Sequence, residues 1–131
     1  MIFNVESTIL GFENIKQLEL NKIDELFLTV QDVQNREIAF TLVNPYLMRE
    51  YEFELSAALK VLLDINENSD INVYNIAVVK DPLDESCINF LAPLIFNRDN
   101  GKVAQVILEA KNYPYFGFAE PLKNHRLTIA A

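Results

Sequence analysis

The chain has 131 residues, half of them hydrophobic, with a net charge of −8, one cysteine and no tryptophan. Those values fit one domain that buries its core without disulfides or metals, and they exclude an extended disordered chain. Nine acids against two lysines between Glu50 and Glu85 hold most of the charge, which excludes direct nucleic-acid binding, because phosphate contacts need clustered Lys and Arg.

The N-terminal residues Met1-Ile2-Phe3-Asn4-Val5-Glu6 lack the basic flank and apolar run of an export signal. With the lone Cys87, read as a buried thiol, this points to a reducing cytoplasm. No apolar segment is long enough to span a bilayer. Short strands are expected at Ile2 to Val5 and Ile15 to Leu20. Leu26, Leu28 and Val30 then alternate with Phe27, Thr29 and Gln31, and Ile38, Phe40 and Leu42 with Glu37, Ala39 and Thr41. Tyr51, Phe53 and Leu55 alternate with Glu52 and Glu54. A period of two with one polar face predicts half-buried antiparallel strands.

Asn44-Pro45-Tyr46 interrupts this pattern as a loop or edge, since Pro45 has no N–H for a ladder. Ser56 reads as the N-cap of one helix over Ala57 to Ile65, with Leu59, Leu62 and Leu63 sharing a face and Asn66-Glu67-Asn68-Ser69 ending it. A strand over Ile71 to Val79 follows, its end Ile76-Ala77-Val78-Val79 apolar enough to be buried on both faces. Leu94 to Asn97 and Val103 to Leu108 form a hairpin, because their link contains Asn100-Gly101, which tolerates positive φ. The aromatic tail after Pro114 has no clear period and either packs over a barrel edge or protrudes. About nine strands and one short helix predict a mainly β fold, a small antiparallel β-barrel-like domain over residues 1–131, since closure hides strand edges.

Few residues suggest chemistry. His125, the only histidine, reads as an exposed tail residue and cannot form a metal cluster. There is no phosphate-binding glycine loop and no G-x-S-x-G elbow, and Glu52 with Glu54 reads as a solvated face rather than an acid–base pair. No catalytic residue, cofactor or metal site is expected. Asn89, Asn97 and Gln105 stand out, because an amide in an apolar strand must find partners. They either satisfy strand ends or a bulge, or present amides to a partner's backbone, and the structural role is the better reading. Tyr46 and Tyr51 are rim residues or interface anchors. The acids between Glu50 and Glu85 either keep the protein soluble or steer a basic protein partner.

Five segments carry a further signal: Ile9-Leu10-Gly11-Phe12-Glu13, Val43-Asn44-Pro45-Tyr46, Tyr51-Glu52-Phe53-Glu54-Leu55, Asn89-Phe90-Leu91-Ala92-Pro93 and Gln105-Val106-Ile107-Leu108. In this order and spacing the chain resembles the flagellar assembly factor FliW family from about Ile9 to Phe118. It departs from the pattern at Phe90 and Phe96, where aliphatic side chains are usual, and residues 116–131 match least. The resemblance implies a non-enzymatic cytoplasmic protein with a small β-barrel-like fold. It implies binding to CsrA, a small RNA-binding translational repressor, from a surface neighbouring the RNA site, which relieves repression of flagellin synthesis. It also implies binding to flagellin as a chaperone-like partner, with no membrane or direct nucleic-acid contact. The candidate partner-contacting residues are Pro45, Tyr46, Tyr51, Glu52, Glu54, Asp81, Asp84, Glu85 and Asn97. The alternative is a barrel that binds a small ligand inside, through inward amides such as Asn89; a hydrolase built on Glu or Asp pairs is a third, weaker class.

Overall fold

Seven strands close on themselves in the computed structural model, which describes residues 1–125. They are β1 (Ile2–Val5), β2 (Gln17–Lys22), β3 (Phe27–Asp32), β4 (Ala39–Val43), β5 (Ile71–Val78), β7 (Leu94–Asn97) and β8 (Lys102–Gln105). Around the barrel the order is β4-β3-β2-β1-β8-β7-β5, and β4 pairs with β5 to close it. Two further strands, β6 (Cys87–Ile88) and β9 (Glu120–Pro121), extend the sheet outside the ring, next to β5. The mainly β, barrel-like expectation holds, with one correction. β1 and β8 run parallel, with Asn4 opposite Lys102 and Val5 opposite Val103. An odd number of strands in a ring cannot all alternate in direction, so one parallel pair is unavoidable.

The core follows the period-two pattern. Phe3, Leu18, Leu28, Val30, Leu42, Leu94, Phe96 and Val103 point inward from the strands and pack together. A second cluster, with Val43, Met48, Tyr51, Ile88, Phe90 and Leu122, sits between β5, β6 and the C-terminal segment. The β7–β8 link behaves as its sequence requires: Gly101 adopts φ 69°, and its N–H reaches the Asn97 carbonyl at 2.9 Å.

The helix α1 spans Ala57–Leu62, and the Ser56 hydroxyl accepts from the Leu59 N–H at 3.1 Å, an N-cap as expected. It ends sooner than the propensities suggest, because Asp64 takes a left-handed φ of 55°. Leu59 and Leu63 pack on Ile95 and Ala104. Leu62 is 40% exposed and does not share their face, since consecutive helical residues lie about 100° apart.

Two further expectations are corrected. Tyr51 to Leu55 alternates in burial but joins no ladder; the Glu54 N–H bonds instead to the Tyr113 hydroxyl at 3.0 Å. Alternation reports a half-buried extended chain, and pairing is a separate property. Val78 and Val79 are exposed, not buried on both faces, because the last rung between β4 and β5 is Thr41 opposite Ala77. No helix among the described residues is long and apolar enough to cross a membrane. The part of the tail at residues 126–131 lies outside the described residues.

Candidate protein-docking surface

The Asn44-Pro45 turn sets the geometry of this surface. The Asn44 carboxamide oxygen accepts from the Tyr46 N–H at 3.1 Å and caps a short 3-10 turn over Pro45–Leu47. Pro45 itself is buried by the turn. Tyr46 is left half exposed, while the chain that follows carries Tyr51 inward. The Tyr51 hydroxyl donates to the Phe90 carbonyl at 2.5 Å. The Asn75 amide donates to the Tyr51 hydroxyl at 3.0 Å and to the Asn89 carbonyl at 2.9 Å. Burial pushes the Tyr51 phenol well above its usual pKa range and Tyr46 up as well, so both act as neutral hydrogen-bonding aromatics.

Rings gather round Tyr51: Phe116 at 4.8 Å, Phe53 at 5.4 Å, Phe90 at 5.6 Å and Tyr46 at 6.2 Å between centroids. Over this floor lies an open groove of about 430 Å³ between Tyr46, Phe53, Leu55 and Val73, with Glu52 on its rim. A neighbouring groove runs past Glu52, Glu54, Asn112 and Tyr113. An aromatic floor with an acidic rim is a composition suited to protein contact.

The other candidates fall in different places. Asp81, Asp84 and Glu85 are exposed on the loop between β5 and β6. Lys123 holds Glu85 at 2.7 Å, and that hydrogen bond lowers the Glu85 carboxyl below its usual pKa and raises the Lys123 amine. Asn97 is not a surface residue: it is 1% exposed. Its amide donates to the Leu63 and Asp64 carbonyls at 2.9 and 3.4 Å and its oxygen accepts from the Asp99 N–H at 3.0 Å. Tyr51 lines the groove from beneath, and Pro45 is buried in the turn that presents Tyr46.

Asn89 and Gln105 also serve the backbone. The Asn89 side-chain oxygen accepts from the Leu91 N–H at 2.9 Å. Gln105 accepts from the Leu10 N–H at 2.9 Å and donates to the Ala92 carbonyl at 3.3 Å, tying the Gly11 loop to the Pro93 segment. Gln105→Ala is expected to lower stability by about 1 kcal/mol, since the part-buried Ala92 carbonyl and the exposed Leu10 N–H lose their partner. Thermal melting measures this; an unchanged melt together with lost partner capture would move Gln105 onto the docking surface. The barrel interior is filled by Phe3, Phe96, Leu18 and Leu42, and the Asn89 side chain turns to its own loop, so an interior ligand site finds no support here.

Sequence reading missed three residues. Asn75, fully buried in β5, carried the same signal as Asn89, an amide in an apolar strand. Arg49 donates to both Glu120 oxygens at 3.0 Å and lies 4.9 and 4.8 Å from the Phe90 and Phe116 rings; nothing local announces a partner 71 residues away. His125, expected to be an exposed tail residue, is only 10% exposed, with Nε2 3.0 Å from Glu120 and its ring against Phe90. Cys87 is half-buried rather than buried, because β6 flanks the barrel instead of lining it. Among the described residues no group of three or more His, Cys, Asp or Glu is placed to hold a metal ion.

Comparison with known proteins gives a consistent picture. The family FliW protein matches residues 1–116. Flagellar assembly factor FliW 2 of Wolinella succinogenes is 48% identical over 124 residues, covering 95% of this chain and 91% of the relative. Flagellar assembly factor FliW of Sulfurimonas denitrificans is 43% identical over 122 residues, covering 93% of this chain and 95% of the relative. A crystal structure of the flagellar assembly factor FliW superposes with a TM-score of 0.82 at 30% identity, covering 92% of this chain and 84% of that one. On this evidence the chain belongs to the FliW family of flagellar assembly factors.

Proposed function

We propose that this protein is a non-enzymatic regulator that binds the translational repressor CsrA, relieves repression of flagellin synthesis, and binds flagellin as a chaperone-like partner in the cytoplasm. Family membership supports the reading, and one observation carries it for this chain. All nine acids between Glu50 and Glu85 are exposed. Among the described residues only Asp70 and Glu85 of that set lie within ion-pair distance of a cation, Arg98 and Lys123. The remaining carboxylates are free to attract a basic RNA-binding protein. The aromatic groove beside Tyr46 offers flagellin a different, apolar contact.

Reversing Asp81, Asp84 and Glu85 together to Lys is expected to leave the fold intact, because exposed loop positions tolerate substitution. Association with CsrA should slow by about tenfold or more, since charges at a rim act mainly on the on-rate. The effect should shrink as salt rises, with a Debye length of about 10 Å at 0.1 M. Flagellin binding should change less. Asp81→Lys with Asp84→Lys is the cleaner pair, because Glu85 also holds Lys123. Surface-capture kinetics at low and high salt decide the matter. Equal loss for both partners would place them on one loop, and no change for either would reduce the acids to a solvated face.

A further inference from the structure

The outer edge of β6 is not free. It is covered by the chain's own C-terminal segment, which lies there as a bound peptide would. Ile88 pairs with Glu120 and Cys87 with Pro121, antiparallel. The ladder extends at both ends: the Leu122 N–H reaches the Ser86 carbonyl at 2.7 Å and the Phe90 N–H reaches the Gly117 carbonyl at 2.9 Å. Main-chain bonds of this kind give affinity in strand addition, and pockets for alternate side chains give specificity. Two such pockets are present. Leu122 is buried in the second core cluster. Glu120, two residues before it, takes both oxygens to Arg49 at 3.0 Å. A second Arg49 nitrogen donates to the Tyr115 carbonyl at 3.0 Å.

We propose that the β6 edge and Arg49 form a docking site for an extended peptide, filled here in cis by residues 115–125. A partner segment with the same chemistry would take the site by displacing them: a carboxylate for Arg49, then proline, then an aliphatic side chain. Three observations point this way. Arg49 Nε is buried and has no hydrogen-bond partner among the described residues, so the resident segment leaves a donor of the site unused. Phe116, Glu120 and Leu122 anchor the segment, while Tyr115 and Phe118 stay 85% and 75% exposed, so two of its aromatic side chains make little use of the site. The walls of the site, Arg49 and Ser86 to Phe90, lie inside the family match at residues 1–116, whereas Glu120 and Leu122 lie beyond it.

Gly117 supplies a variant that loosens the occupant alone. A Cβ there would fall 2.8 Å from the Glu120 Cγ, so Gly117→Ala should push Glu120 off Arg49 without touching the walls; Glu120→Ala removes the carboxylate outright. The test uses the full chain and a fluorescent peptide copied from residues 115–125. Wild type should bind it weakly, because a tethered segment competes at an effective concentration on the order of millimolar. Both variants should bind about tenfold or more tighter, and a peptide with Ala in place of Glu120 should lose about tenfold, as expected for lost charge-assisted bonds. Amide exchange at Phe90 and Leu122 should quicken in both variants. Unchanged exchange, peptide binding no better than wild type, or equal binding of the Ala peptide would each overturn the proposal. A tail-dependent dimer in sedimentation would also overturn it, by making a second copy the occupant. The measurement uses neither CsrA nor flagellin, so its failure would leave the proposed function standing.

Discussion

Phe96→Ala is expected to cost about 3–5 kcal/mol of stability, the range for deleting a large buried aromatic. Phe96 is fully buried in β7. Its ring meets Phe3 edge-on at 4.9 Å and Tyr74 at 5.6 Å between centroids. Its neighbours across the ladder are Asn72 on β5 and Val103 on β8, so the side chain sits where the hairpin meets the rest of the barrel. Strands on both sides restrict how far the walls can collapse into the space left behind. Phe96→Leu, which places there the kind of aliphatic side chain that the family resemblance leads one to expect, should cost less than the alanine variant, because it removes fewer buried atoms and leaves a smaller cavity. Denaturant unfolding followed by circular dichroism separates the two. A loss below about 1 kcal/mol for the alanine variant would show that Phe3 and Tyr74 close the gap and that Phe96 is not central to the core.

Asn97→Ala is expected to cost about 2 kcal/mol, because polar backbone groups near the end of α1 and in the β7–β8 link lose their partner. The amide spans two elements, from the Leu63 and Asp64 carbonyls to the Asp99 N–H. The loss is tempered at Leu63, whose carbonyl also accepts from the Asn100 amide at 2.9 Å. This variant discriminates between the two roles that the sequence allowed for Asn97. A lower melting temperature with partner capture intact in the remaining folded protein marks a structural amide. An unchanged melt with capture lost would return Asn97 to the docking surface.

Local chemistry was legible wherever a property repeats or a residue type has one strong use. Period-two alternation reported the strands because a half-buried sheet needs one apolar face. Ser56 reported a helix start because its hydroxyl satisfies an N–H that the helix cannot. Asn100-Gly101 reported the β7–β8 turn because glycine accepts the left-handed backbone there. Asn97 shows the limit of such signals. The sequence says that its amide needs partners, but both candidate sources of those partners, another element or another protein, satisfy the same requirement.

The mainly β composition, the strand-rich order and the acidic middle were thus determined by the sequence alone, since each depends on residue type and near neighbours. Tertiary structure decided what depends on residues brought together from far apart. The parallel meeting of β1 and β8 follows from closing an odd number of strands. The unpaired state of Tyr51 to Leu55 follows from what the rest of the barrel leaves available. The Arg49 to Glu120 contact joins positions 71 residues apart, and the same segment sets His125, which sequence reading left in solvent, beside Glu120 and against the Phe90 ring. Local propensity carries no information about such pairs, because their free energy exists only once the intervening chain has folded and the water between them has gone.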